Sequence, residues 1–396
     1  MMNYDTALNP RVCSVPPSGI RKFFDLVAET PDAISLGVGE PDFVTPYAYR
    51  HAAIRSIEDG QTQYTGNLGV FSLRQAIAEY MKKRFGVAYN PTNEILVTVG
   101  VSEGIDIALR ALVEPGDEVL VPEPSYVSYA PCVLFANGTP VPVVARPETA
   151  CRITAEAVRK VLTPRTKAII LPYPNNPTGA IMERKDLEAI AEALRDTNLV
   201  VISDEVYAEL TYDGLSHVSF ASLPGMWERT VTLNGFSKAF AMTGWRVGYA
   251  CAPAPLLTQM NKIHQYVAMC ASRQGQVAAE AAIRVNLRDN FEDVEAMRRS
   301  YDRRRRLMIK AFEEMGLPCF RPQGAFYVFP DISVTGLSSQ DFCKQLLARH
   351  SVACVPGDAF GESGGGHIRC CYATSLEKLQ IALSRIAEFV QSTKSA

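Results

Sequence analysis

Short apolar runs alternating with amphipathic stretches constrain the fold of this chain more than any other feature. "EILVTVG" (94–100), "DEVLVP" (117–122), "KAIILPYP" (167–174), "LVVISDEVY" (199–207) and "RTVTLNG" (229–235) are strand-like, and "WRVGYACAP" closes the series. "EGIDIALRALV" and "RKDLEAIAEALRD" between them have a helical period. A strand that is apolar along its whole length needs cover on both faces. The series therefore predicts an α/β fold, a mostly parallel sheet with helices on either side. Ligands of such sheets lie beyond the carboxyl ends of the strands, so those ends are where chemistry is sought.

The pattern changes after about residue 285. The long charged helix "FEDVEAMRRSYDRRRRLMIKAFEEMG" leads to "GAFYVFPDI" (324–332), "VACVPGDAF" (352–360), "HIRCCYA" (367–373) and a last helix. Strands and helices are segregated here, which predicts a smaller α+β domain. The first 45 residues have many prolines and little regular pattern, and are expected to form an arm or to complete the small domain. The expected division is 1–45, 46–284 and 285–396, in keeping with a 396-residue chain longer than one core usually serves.

Composition removes several classes of function. With 47% hydrophobic and 21% charged residues, bulk disorder is not expected. A net charge of -2 gives no global field to recruit nucleic acid or an anionic membrane. Arg303–Arg306 has acids on both flanks and reads as a solvated helix face. Ten cysteines are irregularly spaced without C-x-x-C, so zinc and redox pairs are not indicated. Cys354, Cys370 and Cys371 read as small apolar core residues. His51, His217, His264, His350 and His367 show no ligand spacing, and no metal site is expected. Asp5, Asn9 and Arg11 interrupt any signal-peptide core, and no apolar run reaches membrane-spanning length, so a reduced, cytoplasmic compartment is expected.

Four strand ends carry notable residues. After "EILVTVG", Val101, Ser102 and Glu103 open a helix whose free N–H groups suit a phosphate, although Ser102 also reads as a plain N-cap. "PYPNNPTGA" (172–180) is a proline-stiffened turn that presents Asn175 and Asn176, or serves as turn chemistry alone. Asp204 ends an apolar strand, with Tyr207 three positions on. It is either exposed there or buried against a cation or donor. Lys238 sits in "NGFSKAFAMTGWRVG" (234–248) among aromatics, with Ser237 beside it and Arg246 eight positions on. An amine so crowded loses its proton more easily and can act as a nucleophile, and Arg246 can bind an anion in a planar fork. A phosphate cradle, a strand-end acid, a tyrosine, an amide and an amine together suit pyridoxal phosphate.

The order "SLGVGEPDF", "NNPTGA", "SDEVY", "GFSKAFAMTGWRVG", "GAFYVFP", "HIRCCYATS" resembles the class I/II aminotransferases over nearly the whole chain. It is most similar to their archaeal and bacterial aromatic-amino-acid or aspartate branch. The resemblance implies the aspartate aminotransferase-like fold, with a mostly parallel seven-stranded sheet in the large domain. It implies pyridoxal 5'-phosphate as cofactor. Lys238 would be its attachment point and proton carrier, and Asp204 the partner of its ring nitrogen. Tyr207 and Asn176 would face the ring oxygen, and Tyr126 would stack on the ring, where many relatives carry tryptophan. Val101, Ser102, Glu103, Ser237 and Arg246 would surround the phosphate. Arg369, Gly39 and Asn176 would bind the substrate carboxylate, and Tyr126 would also contact the substrate. Tyr64 would reach the neighbouring subunit's cofactor in a homodimer. Phe23, Phe24 and Tyr64 are expected walls of the side-chain pocket, under an N-terminal arm able to act as a lid. No arginine for a second substrate carboxylate can be placed, which favours an aromatic or broad L-amino acid donor, with 2-oxoglutarate as acceptor, over aspartate. A carbon–sulfur β-lyase or ring-forming synthase on the same fold would share Lys238, Asp204 and Arg246. A DNA-binding regulator would need a preceding domain for which the pattern, beginning by about residue 20, leaves no room.

Overall fold

The computed structural model describes residues 2, 4–20, 30 and 32–394. Its strands are β1 (Ile34–Ser35), β2 (Ile95–Thr98), β3 (Glu118–Glu123), β4 (Thr139–Val144), β5 (Thr166–Pro172), β6 (Val200–Asp204), β7 (Thr230–Gly235), β8 (Gly248–Cys251), β9 (Tyr327–Val328), β10 (Val352–Ala353), β11 (Val355–Pro356) and β12 (Ile368–Cys371).

Seven of them form one sheet in the order β2-β8-β7-β6-β5-β3-β4. β8 runs antiparallel to both its neighbours, and the other pairings are parallel. Period-2 alternation explains the unbroken apolar runs. Ile169, Leu171 and Val201 pack on one face with Leu187 and Ile190 of helix Arg184–Leu194. Ala168, Ile170 and Ile202 pack on the other, with Ile105 and Leu109 of helix Gly100–Leu112. Both sets are buried because both faces are covered. The sequence pattern does not signal β4. Its Pro140 and Pro142 cannot donate to a ladder, and such residues are tolerated on an edge strand, which is where β4 lies.

The second unit is smaller. β11, β12 and β9 form an antiparallel sheet, and β1 pairs in parallel with β10. Leu36, just after β1, enters the core formed by Phe326, Phe342, Leu346, Ile368 and Phe389. Helix Arg273–Asp289 runs through residue 285, where the pattern was expected to change, and packs on helix Tyr47–Glu58. The chain reverses just beyond it, at Asn290 and Phe291, with φ of 58° and 65°.

The arginine run is only half a solvated face, with Arg303 and Arg306 exposed and Arg304 and Arg305 buried. In helix Glu292–Glu314, Tyr301, Arg304, Arg305 and Met308 share the buried side at helical spacing. Arg304 donates to Asp42 at 2.7 Å, and Arg305 to Asp213 at 2.7 and 2.9 Å. Both charges are buried because acids from other segments meet them. Arg306 stays exposed and pairs with Asp302. Among the described residues no helix is long and apolar enough to cross a membrane, and no group of three or more His, Cys, Asp or Glu side chains is placed to hold a metal.

Candidate active site

A cavity of about 660 Å³ opens beyond the carboxyl ends of β5, β6 and β7 and extends to Tyr327 on β9 and Arg369 on β12. Gly39, Val101, Ser102, Tyr126, Asn176, Asp204, Tyr207, Ser237, Lys238, Arg246 and Arg369 all line it.

Asp204 ends β6 and is only 6% exposed, so it is not the strand-end acid in water. The Tyr129 hydroxyl donates to its Oδ2 at 2.8 Å, and the Val206 N–H to its Oδ1 at 3.2 Å. Burial raises its pKa to about 6, against the lowering effect of those two bonds. A cation brought against it would restore its charge.

Lys238 follows β7 and donates from Nζ to the Gly39 carbonyl at 2.6 Å. The Tyr207 and Phe326 rings stand 5.7 Å from its nitrogen. Burial lowers the amine to about 8, and the charges of Arg369 and Arg246 act in the same direction. Its neutral form, the nucleophile, is therefore reached close to neutral pH.

The N-terminus of helix Gly100–Leu112 faces Arg246. A Cβ at Gly100 would lie 2.5 Å from Arg246 Nη2, so glycine lets the guanidinium lie against the first turn. Gly100 itself is at φ 73°, where only glycine is unstrained. Free amides, the helix dipole and a guanidinium converge there, which makes an anion site. Ser102 is not the N-cap. Val99 takes that position, and Ser102 lies in the first turn. The Glu103 carboxylate does not join the anion site. It accepts from the Val99 N–H at 2.5 Å and lies 2.7 Å from His264 Nδ1. An acid at a helix N-terminus is favoured by the dipole but would repel a phosphate, and this one is turned back on its own turn.

Arg369, on β12, is 2% exposed. It donates from Nη1 to Asn176 Oδ1 at 2.9 Å and from Nη2 to the Gly37 carbonyl at 2.5 Å, and its buried Nε has no partner. Asn175 does not face the cavity, because its Oδ1 accepts from the Thr178 N–H and hydroxyl. Tyr64 lies outside the lining and is 79% exposed. Phe23 and Phe24 lie outside the described residues.

Two tyrosines that sequence reasoning passed over belong to this site. Tyr129 holds Asp204, and Tyr126 meets its ring edge-on at 5.5 Å. Its signal was the three-residue spacing in "SYVSY". Tyr327 shares a 2.7 Å hydrogen bond with the Tyr207 hydroxyl. A Cβ at position 39 would fall 2.2 Å from the same Tyr327 oxygen, which explains Gly39. Tyr327 lies within "GAFYVFP", already notable as a motif.

The profile of the aminotransferases of class I and II matches residues 31–386. The chain belongs to this family. YugH of Bacillus subtilis is 50% identical, over 98% of this chain and 99% of that protein. An aspartate aminotransferase of Pyrococcus abyssi is 46% identical over 98% and 99%. The crystal structure of an aromatic aminotransferase from Pyrococcus horikoshii superposes with a TM-score of 0.90 at 44% identity, covering 95% of this chain and 100% of that one. The fold is thus that of the aspartate aminotransferases, and membership implies pyridoxal phosphate as cofactor and amino acids and 2-oxo acids as substrates. The donors in the cavity of this aminotransferase fit that group. A lysine with a lowered pKa suits its aldehyde, a buried carboxyl its ring nitrogen, and a helix N-terminus with an arginine its phosphate.

Proposed function

We propose that this aminotransferase takes the amino group of an aromatic amino acid, within a broad range of L-amino acids, and passes it to a 2-oxo acid such as 2-oxoglutarate in two half-reactions. The observation that carries the donor preference is the cavity wall. Its cations are Lys238, Arg246 and Arg369, each with a site of its own, and none is left among the described lining residues for a second carboxylate. Ile20, Val38, Tyr126 and Val127 give the remaining wall apolar surface, beside Ser18, Glu40, Ser128 and Thr243.

When bound, pyridoxal phosphate supplies an aldehyde that links to amines and a ring that withdraws electrons from the substrate α-carbon. In this reading the Lys238 amine would hold it and, once released, would carry the proton of the substrate α-carbon. Asp204 would hold the ring nitrogen and favour its protonated form. Tyr207 and Asn176 would hold the ring oxygen, and Tyr126 would pack against the ring. Val101, Ser102, Ser237 and Arg246 would hold the phosphate. Arg369, with the Gly39 backbone and Asn176, binds the α-carboxylate, and the unpartnered Nε is the donor that supports this role.

The reading also includes a second copy of the chain. Tyr64 is exposed, and so are Val44, Tyr47, Tyr266 and Val267. Asn67, near Tyr64, bonds to the backbone of Met269, near Tyr266 and Val267, which ties those two stretches together. Exposed apolar residues gathered in this way favour an interface, with Tyr64 reaching the neighbour's phosphate.

The test is a panel of amino donors with 2-oxoglutarate, ranked by kcat/KM. Tyrosine or phenylalanine should exceed aspartate by about tenfold, which is ~1.4 kcal/mol of transition-state binding. The opposite ranking would overturn the donor assignment. Release of pyruvate and ammonia from cystathionine without an acceptor would replace it with a β-lyase. Sedimentation should give a dimer.

A further inference from the structure

Asp204 has two hydrogen-bond donors of different kinds. Val206 N–H is backbone and comes with the turn after β6. Tyr129 comes from elsewhere in the chain, the first residue of helix Tyr129–Phe135. Its ring is 3% exposed, and its hydroxyl reaches Asp204 Oδ2 at 2.8 Å. Tyr126 packs edge-on against that ring, at an angle of 82°.

The charged groups around Asp204 are Lys238, across the cavity, and Glu205, the next residue. Glu205 is turned away. It accepts from the Ser203 and Ser219 hydroxyls at 2.9 and 2.8 Å, with His217 Nε2 3.0 Å from its other oxygen. Among the described residues no cation forms an ion pair with Asp204. Burial, then the charge of Asp204, pushes the Tyr129 phenol well above its ordinary pKa. Tyr129 is therefore a fixed donor at any working pH.

We propose that Tyr129 is a positioning residue for the reaction: its hydrogen bond orients the Asp204 carboxylate and keeps its charge available to the pyridine nitrogen of the cofactor. The proposal rests on the reading of Asp204 as partner of that nitrogen. A hydrogen bond to a charged acceptor in a dry site favours the ionised form. Without it, the carboxylate keeps a single backbone donor and takes up a proton more readily. The ring nitrogen then loses charge, and the cofactor withdraws electrons less well.

The experiment uses the full chain carrying Tyr129→Phe, Asp204→Asn or both, with and without cofactor. In cofactor-free protein, carboxyl ¹³C NMR follows the Asp204 titration, assigned by its loss in Asp204→Asn. Tyr129→Phe should move the midpoint upward. It should weaken pyridoxal phosphate binding by about tenfold and lower kcat more than it changes KM. Placed on Asp204→Asn, it should add no further loss. An unmoved Asp204 midpoint, or losses that simply add in the double variant, overturns the proposal. If Asp204→Asn alone binds cofactor and turns over like the parent, the reading of Asp204 fails, and the proposal with it. A defect in Asp204→Asn beside a neutral Tyr129→Phe removes the proposal only.

Discussion

Arg369 Nη1 meets Asn176 Oδ1 at 2.9 Å, which joins β12 of the three-stranded sheet to the turn after β5 of the seven-stranded one. The guanidinium lies 4.6 Å from the Tyr327 ring centre and 4.9 Å from that of Phe360. Two aromatic faces and two acceptors fix its plane, and Nε alone is unsatisfied. A buried donor without a partner costs roughly 1–3 kcal/mol, a cost that a docking carboxylate removes.

That geometry predicts the outcome of Arg369→Lys. An ammonium keeps the charge but loses the planar fork and its stacking. Losing a buried, hydrogen-bonded charge contact costs about 2–5 kcal/mol, so kcat/KM should fall by roughly thirtyfold or more, chiefly through KM. Cofactor affinity and its visible spectrum should not change. Steady-state kinetics beside a cofactor titration check this, and an unaltered KM removes Arg369 from carboxylate binding.

Lys238 predicts a pH dependence of cofactor capture. The amine titrates near 8, because burial disfavours its charged form. Capture of pyridoxal phosphate by cofactor-free protein needs the neutral amine. Its rate should rise through pH 8 and level off above, well below the range of a free lysine. Stopped-flow absorbance follows it, and a rate still climbing steeply at pH 10 contradicts the lowered value. Lys238→Ala should abolish turnover, and borohydride should then fix no cofactor at position 238.

How much of this was legible in sequence depended on whether neighbours in the chain carried the signal. β5 and β6 were readable because both their faces are apolar, and Lys238 and Asp204 because they stand at strand ends in distinctive runs. β4 was not, since two prolines mask an edge strand. Arg304 and Arg305 looked solvated because their partners, Asp42 and Asp213, are remote in sequence. Glu103 looked like part of the anion site because only the fold brings His264 against it. Tyr129 was missed for the same reason, as Asp204 is 75 residues away. Local period reports burial, whereas polar partners are set by topology.

Asp204 predicts a stability change of definite sign. Its folded pKa is about 6, against an ordinary 3.8. The cofactor-free fold thus binds this proton more tightly than the unfolded chain does. The associated stability is fully present below pH 3.8 and is lost as pH rises to about 6, roughly 3 kcal/mol in all. Compared with Asp204→Asn, cofactor-free parent protein should lose Tm across that window, and the difference should be flat above it. With cofactor bound the order should reverse, because the variant lacks the anion opposite the ring. Parallel melts of both proteins from pH 4 to 8 test it, and curves that track each other throughout would falsify the buried acid.

Arg305 predicts where the fold is most sensitive. Its side chain is fully buried, yet it is charged, and it is neutralised by Asp302 on its own helix and by Asp213 from the segment after β6. Nη1 also donates to the Pro322 carbonyl at 2.6 Å, and the guanidinium lies 4.7 Å from the centre of the Tyr212 ring. These bonds bring helix Glu292–Glu314 together with the segment after β6 and the one before β9. Asp213 is held down at about 2, first by its hydrogen bond to Arg305. Its contribution is therefore intact above pH 3.8 and disappears as pH falls through about 2. Arg305→Ala opens a cavity and leaves Asp302 with the exposed Arg306 and Asp213 with the exposed Arg321, at about 2–5 kcal/mol, chiefly from lost packing. Arg305→Met, which fills the space and buries no charge, should cost less. Denaturant melts at pH 7 check the order, and the Arg305→Ala deficit should narrow towards pH 2, where Asp213 protonates. An Arg305→Ala protein as stable as the parent at pH 7 would show that the ion cluster contributes nothing to the fold.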